Sequence, residues 1–201
     1  MRTRHRLLWF DVRKIDRVGE RRPPGVRKSL KQDEVARVRV QVLVLAVSSS
    51  PKVVVPWTDA DQYNAPELDA EGGLAFGAGI DLAFLELERH KIELNLSGTP
   101  YTRPWLVLMA SHHPSDHWES SAERVRSAIQ DKSCVVFPFA LSEEARDALS
   151  AIQIPGGPVF MLMQSQFLAA FGWLSASAVQ VSSAAPGQGA LLPTPSFEIR
   201  N

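Results

Sequence analysis

The chain has 201 residues, enough for one domain with a sizeable core. Hydrophobic residues make up 45 % and charged residues 22 %, with 22 basic and 22 acidic side chains, so no net field draws the protein to nucleic acid or to a membrane surface. A single cysteine, Cys134, excludes an intramolecular disulfide and suits a reducing, cytoplasmic compartment.

The opening MRTRHRLLWFDV carries positive charge, but its apolar run is too short for a secretory core, and no stretch approaches the roughly eighteen apolar residues that span a bilayer. Basic residues from Arg2 to Lys31 crowd the first 31 positions, which reads as a solvated surface. LLWFDV (7–12) is expected to be a buried strand. RVGERRPPGVRKSLKQDEVA is broken by Gly19, Pro23, Pro24 and Gly25, which confines any helix to about Val26–Ala36 and leaves 13–25 irregular.

RVRVQVLVLAV (37–47) is a second strand, and PKVVVPW (51–57), after only three serines, pairs with it as an antiparallel hairpin. DADQYNAPELDAEGG is a polar loop. LAFGAGIDLAFLELERHKIEL has helical spacing at Phe76, Ile80, Leu82, Phe84, Leu85 and Leu87, despite Gly77 and Gly79.

RPWLVLMAS (103–111) is continuously apolar, as in a strand covered on both faces. The following helix is expected to begin near Ser115 or Asp116, either of which can cap it. SCVVFPF is a strand with Cys134 buried in it, SEEARDALSAI a helix capped by Ser142, and PVFMLM a last strand. QSQFLAAFGWLSASAV is a closing helix with Phe167, Phe171 and Leu174 on its core face. Residues 186–201 read as a Pro/Gly-punctuated tail without a packing pattern, leaving 1–185 as the domain.

This alternation predicts an α/β fold of three layers: a mostly parallel central sheet with one antiparallel edge strand, and helices on both faces. Ligands of such sheets bind beyond the carboxyl ends of the strands. There the eye meets LMASHHPSDHW, where His112, His113, His117 and Asp116 are all candidate ligands. Adjacent histidines tend to point apart, and no H-E-x-x-H or cysteine pair supports them, so an ordinary surface loop is favoured over a zinc site. A general base there lacks a neighbouring nucleophile motif, and G-x-S-x-G is absent.

Four stretches then line up with one family. LKQDEVARVRVQVLVLAV, VVVPWTDADQYNAPELDAEGGLAFGAGIDLAFLELER, LVLMASHHPSDHW, and FGWLSASAVQVSS followed by LLPTP resemble the compact bacterial von Willebrand factor type A (vWA) domains of the tellurium-resistance type. The resemblance implies a Rossmann-like vWA fold and, for the family, one Mg²⁺ held at the strand ends in a metal-ion-dependent adhesion site by hard oxygen ligands. Matched by position, the chain keeps Asp11 but has Arg13 and Ile15 for two serines, Leu74 for a threonine, Ser111 for a second aspartate and His112 for a glycine.

Isoleucine and leucine offer no ligand and Arg13 brings a positive charge, so the expectation is a degenerate site without a metal, with Arg13 pairing Asp11 instead. The function implied is a non-enzymatic adaptor or scaffold, with a Ser/Thr kinase, a PPM-type phosphatase or another vWA protein as partner in a stress or signalling system. Its contact residues are expected among Asp11, Arg13, Leu74, Ser111, His112, His113 and Asp116, or alternatively near Trp173. The alternative function is a metal- or anion-dependent binding protein whose site is rebuilt from His112, His113, Asp116 or Asp11.

Overall fold

The computed structural model describes residues 5–11, 39–64, 72–183, 190–197 and 199–200, with backbone alone at 5–11, 164, 168, 199 and 200. The strands are β1 (His5–Asp11), β2 (Val40–Ala46), β3 (Lys52–Asp59), β4 (Trp105–Ala110), β5 (Val135–Ala140), β6 (Val159–Met161) and β7 (Ile199–Arg200). The helices are α1 (Phe76–Leu96), α2 (Glu119–Gln130), α3 (Glu143–Ile152) and α4 (Phe167–Ser183), the last entered through a 3₁₀ turn at Gln164–Gln166. The expected helix at 26–36 and the irregular stretch 13–25 lie outside the described residues.

All seven strands form one sheet in the order β3-β2-β1-β4-β5-β6-β7. The inner five are parallel, β1 pairing β2 from His5↔Val40 to Asp11↔Ala46 and β4 at Leu7↔Trp105, Leu8↔Leu106 and Trp9↔Val107. The hairpin expected at 37–57 is present, with β3 antiparallel at one edge. Pro56 is tolerated there because an edge strand offers one row of N–H groups to no neighbour in the sheet.

The opposite edge adds to the one antiparallel edge strand expected. Within residues 186–201, whose sequence has no packing pattern, β7 forms a second antiparallel edge strand, with Phe160↔Ile199 and Val159↔Arg200. Phe197 is buried and its ring lies 5.9, 5.7 and 5.6 Å from those of Phe139, Phe160 and Trp173. The Trp173 indole N–H donates to the carbonyl of Pro193 at 2.6 Å. A lone aromatic among prolines carries no period, so only the fold reveals the pocket it fills.

Strand alternation divides the core into two layers. Leu43, Leu45 and Val47 of the β2 segment, with Leu106, Leu108 and Ala110 of β4, meet α1, α2 and α3 through Phe76, Ile80, Phe84, Leu87, Val125 and Leu149. Val40, Val42, Val44, Val107 and Met109 face the other way, toward Phe171, Trp173 and Leu174 of α4. Every residue of β4 is buried, as its unbroken apolar run requires. On α1, Phe76, Ile80, Phe84 and Leu87 are buried as expected, whereas Leu85 is exposed.

Helix starts follow local chemistry in one case and not in another. Ser142 caps α3, its hydroxyl accepting from the Ala145 N–H at 3.1 Å. Neither Ser115 nor Asp116 caps α2: the helix begins at Glu119 after Trp118, with no side-chain cap.

Candidate functional site

The carboxyl ends of β2 and β4 bring three loops together at one rim of the sheet: residues 47–50, 72–75 and 111–118. Gly73 N–H donates to Ser49 Oγ at 2.8 Å, Ala75 N–H to the Ser48 carbonyl at 3.0 Å, and Ser115 N–H to the Leu74 carbonyl at 2.8 Å. The carboxylate of Asp116 then accepts from two backbone amides at the start of α1, Gly77 N–H at 3.2 Å and Ala78 N–H at 3.0 Å.

This last contact is the cap that α1 lacks in its own sequence. Its N-cap residue is Ala75, which has no side-chain oxygen. Four amide N–H groups at a helix start have no intrahelical partner, and a carboxylate there also meets the positive end of the helix dipole. The acid expected to cap the helix that follows it caps the helix that precedes it. A legible signal existed: a strongly helical segment beginning L-A-F-G without Ser, Thr, Asp or Asn at its start.

Close approach makes the arrangement possible. A Cβ on Gly77 would sit 2.8 Å from both the His117 carbonyl oxygen and Trp118 Cα, and one on Gly73 2.5 Å from Ser115 Oγ. Trp118 anchors the loop from below, its ring edge-on to Phe76 at 6.4 Å and to His113 at 6.1 Å.

The individual candidates divide. Asp11 ends β1, opposite Ala46 in the ladder, and its side chain is outside the described residues, as are Arg13 and Ile15 altogether. Leu74 is 4 % exposed and packs in the core beneath the rim, so a partner cannot touch its side chain without opening the loop. Ser111 is half-buried, its Oγ 2.8 Å from Nδ1 of the exposed His112. His113 is exposed, its Nδ1–H donating to the Pro114 carbonyl at 3.0 Å.

The structure therefore brings Ser111, His112, His113 and Asp116 to one rim but does not point them at one centre. Among the described residues, no three His, Cys, Asp or Glu side chains gather as a metal site would need. Of the positions that the resemblance aligns with a cation site, two have described side chains: Leu74, a buried hydrocarbon without a donor atom, and Ser111, whose Oγ contacts an imidazole.

Cys134 is buried just before β5, and burial pushes its thiol up to about 12 despite the lowering fields of Lys91 and Arg103. Its burial is as expected. Among the described residues no helix is long and apolar enough to cross a membrane.

No protein-family model matches the sequence, and no curated protein matches it. Solved structures do match in shape. A von Willebrand factor type A protein from Catenulispora acidiphila superposes over 89 % of this chain and 43 % of its own, with a TM-score of 0.53 and 13 % identity. Proximal thread matrix protein 1 from the mussel byssus, in one crystal form, matches over 88 % of this chain and 48 % of its own, with a TM-score of 0.54 and 12 % identity. The chain thus spans less than half of each. The protein has the vWA-like fold that the resemblance implies.

Proposed function

We propose that the protein is a non-enzymatic, metal-independent vWA-like interaction module, an adaptor or scaffold that meets a protein partner through the rim at the carboxyl ends of its parallel strands. The observation that carries this reading is the way the rim is held: the Ser49 hydroxyl, two backbone carbonyls and the Asp116 carboxylate join the three loops where this fold can otherwise use a cation. The surface left for contact is the exposed His112 and His113 beside the half-buried Ser111; the family resemblance adds Asp11 and Arg13 to the candidate contact residues. A kinase, a phosphatase or a second vWA protein of a bacterial stress or signalling system is the partner class the family resemblance supports.

The reading is tested with purified candidate partners and the full chain. Binding is expected to survive chelation of divalent ions by EDTA and to weaken at least tenfold with His113→Asp, which leaves the Asp116 contacts in place. Stoichiometric binding of Zn²⁺, Mn²⁺ or Mg²⁺ in equilibrium dialysis, lost in His113→Ala, would overturn it in favour of a rebuilt ion site. Turnover abolished by Asp11→Asn would overturn it in favour of an enzyme.

A further inference from the structure

On the same face of the sheet but away from the rim, α1 and the β2–β3 hairpin share a buried polar chain. The apolar row Val47, Leu45 and Leu43 beneath α1 ends at Gln41, and His90 of α1 stands opposite it; both side chains are buried, at 7 % and 6 % exposed. His90 Nε2 lies 2.9 Å from Gln41 Oε1, and Gln41 Nε2 donates to Asp59 Oδ1 at 2.9 Å. His90 Nδ1 lies 3.0 Å from Glu93 Oε2. The Trp57 indole is stacked on the imidazole, centroids 4.4 Å apart and planes 11° from parallel, while its own N–H donates to the Glu86 carbonyl at 3.3 Å.

Counting protons gives the charge of the ring. The Asp59 carboxylate accepts only, so it takes the amide nitrogen of Gln41 and turns that side chain's oxygen toward His90. An amide oxygen also accepts only, which requires a proton on Nε2. The Glu93 carboxylate requires one on Nδ1. A neutral tautomer would set a ring lone pair against an oxygen lone pair at one end or the other. The imidazolium alone satisfies both ends, and the indole face beneath it is the electron-rich surface a cation prefers.

The carboxylates around it favour the cation, and the nearby cations Arg89 and Lys91 are offset by carboxylates of their own. From α1, Glu93 meets the ring directly, Glu86 is paired with Arg89 and Glu88 with Lys91; from the hairpin, Asp59 acts through Gln41.

We propose that His90 is a proton-operated latch between α1 and the β2–β3 hairpin, closed as the imidazolium against Glu93, Gln41 and Trp57 and loosened when the ring loses a proton. The sign follows from the charged form being the bound one: the latch contributes fully at low pH and is lost as pH rises. The first segment to loosen is β3, the edge strand, which carries Trp57 and Asp59. This inference stands whether or not the rim binds a protein.

The test uses the full chain titrated from about pH 5 to about pH 9, bracketing the range in which imidazoles change charge. Long-range proton–nitrogen spectra are expected to show both His90 ring nitrogens bearing protons at neutral pH. Trp57 emission, obtained by difference from Trp57→Phe, is expected to be quenched at low pH and to rise on deprotonation, because an imidazolium stacked on an indole quenches it. Glu93→Gln, at a largely exposed position, is expected to move that midpoint down by about half to one pH unit and still fold. A single neutral tautomer at neutral pH, a pH-independent Trp57 signal, or an unmoved midpoint in Glu93→Gln would overturn the proposal.

Discussion

Asp116 accepts a hydrogen bond from the backbone N–H of Gly77, 39 positions earlier in the chain, and so caps a helix to which it does not belong. The pairing joins the loop after the central strand β4 to the start of α1. It makes the two loops at the rim a single mechanical unit.

Asp116→Ala removes the only side-chain cap on α1 among the described residues. Loss of such a cap costs about 1 kcal/mol, and for a chain of this size that lowers the melting temperature by about 2 to 4 °C. Asp116→Asn, which keeps one acceptor oxygen but not the charge facing the helix dipole, is expected to fall between the two. Thermal unfolding of the three proteins checks the order, and a stability of Asp116→Ala equal to the parent would refute the cap.

Two glycine substitutions are expected to have opposite signs. Alanine in a helix interior is ordinarily worth up to about 1 kcal/mol over glycine. In α4 that gain is available at Gly172, where an added Cβ meets nothing within 4 Å. In α1 it is not: the Cβ of Gly77→Ala would press on the backbone of His117 and Trp118, which cannot move without breaking the Asp116 contacts. Denaturant midpoints should rise for Gly172→Ala and fall for Gly77→Ala.

Phe197→Ala tests whether the C-terminal residues belong to the core. The ring is buried against three aromatic neighbours, and truncating a buried phenylalanine typically costs about 3 to 5 kcal/mol. Trp173→Phe keeps most of the packing and deletes the bond to the Pro193 carbonyl, so about 1 kcal/mol is expected there. Urea unfolding that leaves Phe197→Ala as stable as the parent would mean the pocket is not filled as described.

Cys134 is expected to resist thiol reagents in the native protein at neutral pH. Burial raises its thiol to about 12 and also blocks access, so modification should require unfolding. The rate of reaction with a disulfide reagent, compared with and without denaturant, measures this. Rapid native labelling would show that the segment before β5 opens locally.

Much of the architecture could be read residue by residue because it depends on local pattern. The unbroken apolar run of β4 required cover on both faces, and the β2–β3 pair followed from a short, serine-rich connection. The cap at Ser142 lies three positions from the amide it serves, well within the reach of sequence reasoning. The rim was legible only in part. That Leu74 offers no ligand is a matter of chemistry; that its side chain turns into the core is a matter of packing.

Sequence alone thus determined which described segments from β1 to α4 are strands and helices, that the layers stack as α/β/α, and which residue types stand at the strand ends. Tertiary structure alone decided which helix Asp116 caps, that Phe197 and β7 close the second edge of the sheet, and that His90 meets Gln41 across 49 positions of chain. The physical reason is range. Hydrophobic period and short turns are set by neighbours within a few residues, whereas a carboxylate or an imidazole acts on whatever group the fold carries to within about 3 Å of it.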